Sequence, residues 1–240
     1  VRLLNDFEAI ALALPWLDAG CLEPIGPVRA VNLSDADFTL GVIGPGTGLG
    51  AAALLKRQGM FLPLVTEAGH VGFAPETSLQ KAVWERLRQR FDRVSDERLV
   101  SGVGLENIYQ ALPELHGTGA PSLGAATIFE QADADRIAEQ SVELFFEIMG
   151  QIAGNFALTC GATEGIFIAG GIVQRYPSLL MHSQFRAGFE HKGRHRGLME
   201  KIPTLLIRHP NPGLLGASIV AQELHPKGKR SSLLALTGSD

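Results

Sequence analysis

Gly44-Pro-Gly-Thr-Gly-Leu-Gly50 is the stretch on which the fold turns. The apolar run Phe38-Thr-Leu-Gly-Val-Ile43 leads into it and reads as a buried strand. Ala51-Ala-Ala-Leu-Leu55 leads out of it. Glycine at every second position exposes backbone N–H groups on a loop that no side chain crowds, which suits a phosphate. Tight turning alone would need one or two glycines. The question is whether a helix or a strand follows.

Gly46-Thr-Gly-Leu-Gly-Ala51 also fits the loose dinucleotide fingerprint, with Glu67 near the expected acidic position. That alternative makes the protein an NAD-dependent oxidoreductase. A parallel crossover, however, needs about a dozen residues or more, usually a helix. Gly50 to Gly59 leaves too few. A hairpin turning at Gln58-Gly59, with Met60-Phe-Leu-Pro-Leu-Val65 as the returning strand, fits the length.

Beyond the hairpin, Thr66-Glu-Ala-Gly-His70 sets a carboxylate and an imidazole three residues apart around a glycine. This pair offers an acceptor and a donor-or-acceptor to vicinal hydroxyls. A phosphate loop followed by a hydroxyl clamp is the pattern expected of a kinase acting on a sugar. A lone histidine is more often structural, but this one directly follows an apolar strand.

Helical spacing runs over Leu79 to Phe91, Leu105 to Leu112 and, most clearly, Ala132 to Thr159. Gly165-Ile-Phe-Ile-Ala169 is a strand entering Gly170-Gly171, Thr204-Leu-Leu-Ile207 is a last strand, and Asn211-Pro-Gly213 opens a final helix. Strands alternating with long helices indicate an α/β fold. Residues 18–35 read as a connector, and the charged stretch from Phe185 to Arg196 as partly exposed.

Composition narrows the function classes. The 240 residues are 45% hydrophobic and 19% charged, ordinary for a globular protein with a real core. A net charge of −4 implies no general affinity for nucleic acid or anionic membrane. Lys227-Gly-Lys-Arg230 is too short to change this and reads as a solvated tail. Cys21 and Cys160 form no C-x-x-C pair, which argues against zinc and disulfides and for a reducing cytoplasm. No stretch reaches the roughly 20 apolar residues of a membrane span. Among the histidines only His191 and His195 have metal-like spacing; in a Lys/Arg-rich run they read as solvated, so no metal site is expected.

Asp6 precedes the short helical run Ala9 to Leu14, which Pro15 ends. With Asn5 as N-cap and Glu8 at the third helical position, this is a capping box, and Asp6 suits the positive helix end. A carboxylate fixed at a helix start can also serve as a base for phosphoryl transfer. Both readings hold together. Glu97, in Ser95-Asp-Glu-Arg98, has surface salt-bridging as its default role. Gly170-Gly171 is either a tight turn or a place for a flat adenine ring to lie on the backbone.

Taken in order, several segments resemble the bacterial glucokinases of the proteobacterial type. They are Leu4-Asn-Asp-Phe7, Gly44–Gly50, Glu67-Ala-Gly-His-Val-Gly-Phe-Ala-Pro75, Glu97-Arg-Leu-Val-Ser-Gly102, Phe167–Val173, Phe189-Glu-His-Lys-Gly-Arg194 and Asn211–Ala217. The resemblance runs from about residue 3 to 224. It implies the actin-like ATPase (ribonuclease H-like) fold, a mixed sheet flanked by helices, in a cytoplasmic homodimer that moves the γ-phosphoryl group of MgATP to the 6-hydroxyl of glucose. Residues 1–35 would then be a small-domain remnant with connector, 36–225 the large domain binding sugar and nucleotide, and 226–240 a tail.

By the same resemblance Asp6 is the general base. Asn5, Glu67, His70 and Glu97 are glucose ligands, Gly46, Thr47 and Gly48 approach the ATP phosphates, and Gly170 and Gly171 border adenosine. A related sugar-kinase and repressor family shares a Glu-x-Gly-His segment but relies on a cysteine-rich zinc motif, which two unclustered cysteines do not supply.

One departure stands out. The family has a further N-terminal segment with an Asp-x-Gly-Gly-Thr-Asn hairpin that holds the ATP phosphates and Mg²⁺, and no such hairpin occurs here. The chain opens on Val, its first motif starts almost at once, and the expectation is a piece that turns over weakly or not at all by itself. Reactant positioning of the kind that hairpin supplies is worth on the order of 7–11 kcal/mol in favourable cases. A sugar-sensing module without catalysis is the alternative from a different class.

Overall fold

The computed structural model describes residues 3–224 apart from 29, 30, 32, 34–36, 116 and 120. His116, the Lys227–Arg230 cluster and the expected tail lie outside the described residues. Six strands form one sheet: β1 (Leu22–Pro24), β2 (Phe38–Pro45), β3 (Leu49–Arg57), β4 (Met60–Val65), β5 (Gly165–Ile168) and β6 (Thr204–Ile207), in the spatial order β1-β6-β5-β2-β3-β4. β2, β3 and β4 are an antiparallel meander, β5 and β6 run parallel to β2, and β1 closes the far edge antiparallel to β6.

The strand after the glycine loop is therefore a hairpin partner of β2, paired from Pro45↔Leu49 to Phe38↔Lys56. No helix follows the loop, which removes the dinucleotide reading. The β3–β4 turn falls at Gln58-Gly59, both with positive φ (51° and 77°), as hairpin connections require. One expectation needs correction: residues 22–24, inside the stretch read as connector, form the edge strand β1.

Ten helices cover the described sheet. In chain order they are α1 (Asp6–Ala13), α2 (Ser78–Arg90), α3 (Gly102–Glu114), α4 (Ala125–Glu130), α5 (Arg136–Cys160), α6 (Gly171–Arg175), α7 (Pro177–His182), α8 (Phe185–Glu190), α9 (Arg196–Met199) and α10 (Pro212–Leu224). Along each central strand the side chains alternate between two cores. Leu40, Val42, Leu54, Phe167, Leu205 and Ile207 join the core beneath α1 and α10. Ile43, Ala53, Ile166, Ile168 and Leu206 join the larger core beneath α3 and α5. Because both faces are covered, these strands read as continuous apolar runs. A meander continued by parallel strands, with helices on both faces, is the ribonuclease H-like sheet of actin-like ATPases.

α5 starts four residues later than its periodicity suggests. Asp135 is the N-cap, accepting from the amides of Ile137 (2.7 Å) and Ala138 (3.0 Å), and Gly161 at φ 65° ends the helix. Within the charged stretch read as partly exposed, α8 buries Phe185, Gly188 and Phe189 while residues 193–196 are exposed. α8 meets α5 at backbone contact. A Cβ on Gly150 would lie 1.9 Å from the Phe185 carbonyl oxygen, and one on Gly188 2.3 Å from that of Glu147. On the opposite face α10 docks on α1 just as closely, a Cβ on Gly216 falling 1.7 Å from the Ala9 carbonyl oxygen.

Candidate active site

The carboxyl ends of β2 and β5 lie side by side, and at such ends parallel strands present loops to ligands. Gly44 packs on the strand end, where a Cβ would be 2.2 Å from the Ala169 carbonyl oxygen. Gly170 returns the contact: its Cβ would be 2.4 Å from the Pro45 carbonyl oxygen, and its φ of 105° is open only to glycine. Gly50 leaves room for the Phe7 ring, 1.9 Å from where its Cβ would stand. That seats the start of α1 over the hairpin.

The glycines of the loop thus differ in purpose from the sequence expectation. None of the four has positive φ, and three of them are needed for close approach: Gly44 to Ala169, Gly48 to Glu97, Gly50 to Phe7. Only Gly46 has nothing within 4 Å. The turn itself is three residues, closed by Gly46 N–H donating to the Gly48 carbonyl (2.8 Å) and tied to α3 by Gly102 N–H donating to the Gly46 carbonyl (3.0 Å). The amides of Thr47 and Gly48 donate to no protein group among the described residues. Two such donors at one turn can be offered to an anion without a helix dipole.

Asn5 caps α1 as expected. Its side-chain oxygen accepts from the amides of Phe7 (2.9 Å) and Glu8 (3.3 Å), and Glu8 accepts from the Asn5 amide (3.3 Å). The cap uses the oxygen, which leaves the Asn5 NH₂ group for a ligand. Asp6 is exposed, and its Oδ1 accepts from the Phe7 amide at 2.9 Å. Its second oxygen is uncommitted.

Glu67 caps and His70 ends the 3-10 turn Ala68–His70, with His70 Nε2 3.9 Å from Glu67 Oε2 and both side chains exposed. Gly69 lets this turn ride on β3, since its Cβ would meet the Leu49 carbonyl oxygen at 2.1 Å. Glu97 arrives from the 3-10 turn Asp96–Arg98, where its Oε2 accepts from the Leu49 amide at 3.0 Å. This half-buried carboxylate is more than the surface salt-bridger its sequence context suggests.

Asn5, Asp6, Glu67, His70 and Glu97 line one cavity of about 400 Å³ together with Gly46, Thr47, Gly48 and Gly170. Among the described residues no lysine or arginine lines it. Gly171 is not on its wall; it opens the five-residue α6. A cavity of about 640 Å³ lies elsewhere among α2, α5 and α8, lined by Glu76, Glu147, Glu190 and His191 but by none of the glycine-loop residues.

Two further features carried no usable signal in the sequence, one beside the cleft and one on the 640 Å³ cavity. Asp96, next to Glu97, is buried, and that burial pushes its carboxyl up to about 7 against the lowering pull of Arg93. His191, read as solvated, holds the Glu76 carboxylate at 2.9 Å. Among the described residues no group of three potential ligand side chains could hold a metal ion, and no helix is long and apolar enough to cross a membrane.

Comparison with known proteins shows the family. The Glucokinase family model matches residues 1–224. A glucokinase from Xylella fastidiosa is 44% identical over 229 residues, covering 94% of this chain and 68% of the relative. The crystal structure of a glucokinase from an Antarctic psychrotroph superposes with a TM-score of 0.85 at 33% identity, over 92% of this chain and 68% of the other. A glucokinase from Balamuthia mandrillaris, solved in complex with glucose, gives 0.77 at 25% identity, over 91% of this chain and 65% of the other. The chain belongs to the glucokinase family.

Proposed function

We propose that the cleft binds glucose and the phosphates of ATP, and that its residues carry phosphoryl transfer to the 6-hydroxyl. One observation carries the reading: three carboxylates and an imidazole meet two free backbone amides in a single cavity of about 400 Å³. Glu67, Glu97 and His70 offer acceptors to sugar hydroxyls, and the Asn5 NH₂ offers a donor. A polyol held by several such contacts is fixed in orientation, which is where much of a bimolecular barrier is removed.

Asp6 is the general base in this reading. The Phe7 amide fixes one carboxylate oxygen, so the other can take the hydroxyl proton along a defined direction. Thr47 and Gly48 amides receive the phosphate oxygens as charge redistributes during transfer, and Gly170 with Gly171 leaves the backbone bare where an adenosine would lie. Mg²⁺ bound to ATP would neutralise phosphate charge.

α1 and β1 belong to the main sheet and its core, so the remainder of the family's length would form the small domain, and a homodimer is the assembly we infer from the family. This chain alone is expected to turn over weakly. The test is glucose 6-phosphate formation from glucose and MgATP by the product of the complete gene, alongside calorimetric glucose binding by the 240-residue chain. Binding without product in both would leave a sugar sensor and end the kinase reading.

A further inference from the structure

Residues 71–77 join the Glu67–His70 turn to α2 without regular structure. Their first half is tied to the segment that carries Glu97. Arg93 donates to the His70 carbonyl at 2.6 Å, the Asp96 amide to the Val71 carbonyl at 2.9 Å, and the Phe73 amide to the Val94 carbonyl at 3.1 Å. Their second half is tied to the α5–α8 pair. Gln151 on α5 donates to the Ala74 carbonyl at 2.7 Å, and Glu76 lies 2.9 Å from His191 and 3.5 Å from Lys192.

Lys192 belongs to the Phe189–Arg194 motif, to which nothing above gives a function. Its side chain is 6% exposed. Its ammonium donates to the carbonyls of Gly188 (3.3 Å) and His191 (3.1 Å), and the third direction meets Glu76 Oε1. Every donor of the group is thereby used. The stem passes over α5 where a Cβ on Gly154 would come within 2.8 Å of Lys192 Cε. Glycines 150 and 188 hold α8 itself against α5, so the ammonium sits on a rigid body. Burial pushes the lysine pKa down and Glu76 opposes that push. A buried cation left without its counter-charge is costly, so Glu76 is held at a fixed place.

We propose that Lys192, through its ion pair with Glu76, is a positioning residue that sets the Glu67–His70 turn for sugar binding. The proposal rests on reading that turn as the sugar clamp. The pair bolts an irregular segment to the α5–α8 body a few residues beyond His70, while Arg93 braces the same segment against the Glu97 turn. The two ligand-bearing turns thus share one frame.

The test compares the full 240-residue chain with Lys192→Met, Glu76→Gln and the double variant. Glucose and ATP affinities are read by calorimetry, and amide hydrogen exchange is followed peptide by peptide. Expected are about tenfold weaker glucose binding in each single variant, no further loss in the double, unchanged ATP binding, and faster exchange confined to residues 68–76. Unchanged glucose affinity with unchanged exchange there overturns the proposal. So does equal loss of both ligands with faster exchange throughout, the mark of a general stability effect. If the wild-type chain binds no glucose, the sugar-clamp reading fails by itself, and exchange at 68–76 still decides whether the bolt exists.

Discussion

Glu97 Oε2 accepts a hydrogen bond from the Leu49 amide at 3.0 Å and stands 2.4 Å from where a Cβ on Gly48 would be. A candidate sugar ligand is thus oriented by the backbone of the candidate phosphate turn. The two halves of the cleft are one hydrogen-bonded unit. Gly48→Ala should push the carboxylate end of Glu97 aside, which a flexible side chain permits at little cost to the fold. Urea unfolding should change by about 1 kcal/mol or less, while glucose affinity falls about tenfold. Unfolding and affinity moving together would show that the glycine serves the fold rather than Glu97.

Asn5 and Asp6 sit side by side at the start of α1 but should fail in different ways. Asp6→Asn keeps an oxygen for the Phe7 amide and removes the proton acceptor. In the complete gene product kcat should drop by roughly 10²–10⁴, with glucose affinity and stability nearly unchanged. Asn5→Ala removes the cap oxygen that serves two amides. It should cost about 1 kcal/mol of stability and weaken glucose binding through the lost NH₂. An unchanged rate in Asp6→Asn would reject the base.

The hairpin was legible because chain length alone forbids a helix between Gly50 and Gly59. The capping box at Asn5 and Glu8 was legible because it is local. Glu67 and His70 could be paired from spacing, yet that they share a cleft with Asp6 is a tertiary fact, set by Phe7 seating on Gly50. The glycine loop was read for its free amides, and two are free. Sequence could not show that Gly44, Gly48 and Gly50 are required by Ala169, Glu97 and Phe7, since those partners are remote in the chain. Which part of the partly exposed stretch from Phe185 to Arg196 is buried was not legible, because its charges mask the two phenylalanines four apart that face α5. Lys192 lies in the same charged stretch, and its long stem is buried over Gly154 beside its counter-ion Glu76.

Backbone-to-backbone contacts should be the least forgiving positions. At Gly44 an added methyl meets the Ala169 carbonyl oxygen at 2.2 Å, and at Gly150 it meets that of Phe185 at 1.9 Å. Neither carbonyl can rotate away without moving a strand end or a helix. Gly44→Ala and Gly150→Ala should each cost several kcal/mol, read as a large drop in the urea midpoint. Gly46→Ala, with nothing within 4 Å, should leave the midpoint within about 0.5 kcal/mol of the parent. Similar midpoints for all three would mean that the strand ends are looser than these distances require.

Asp96 gives the fold a pH dependence with a defined sign. Burial raises its carboxyl from 3.8 to about 7, Arg93 only partly opposing, and its side chain makes no hydrogen bond among the described residues. Between about pH 4 and 7 the native state keeps a proton that the unfolded chain releases. More protons bound in the folded state means that stability falls as pH rises through this window and levels off above it. The full effect is at most about 4 kcal/mol. Asp96→Asn keeps the shape and the backbone bond from its amide to the Val71 carbonyl while removing the titration. Urea unfolding at several pH values between 4.5 and 8 should therefore show the variant gaining on the parent steadily toward pH 7. Because other groups titrate equally in both proteins, the difference between the two curves isolates this carboxyl. Parallel curves would mean that Asp96 ionises freely in the folded state, and that the turn carrying Glu97 is more open to water than its burial indicates.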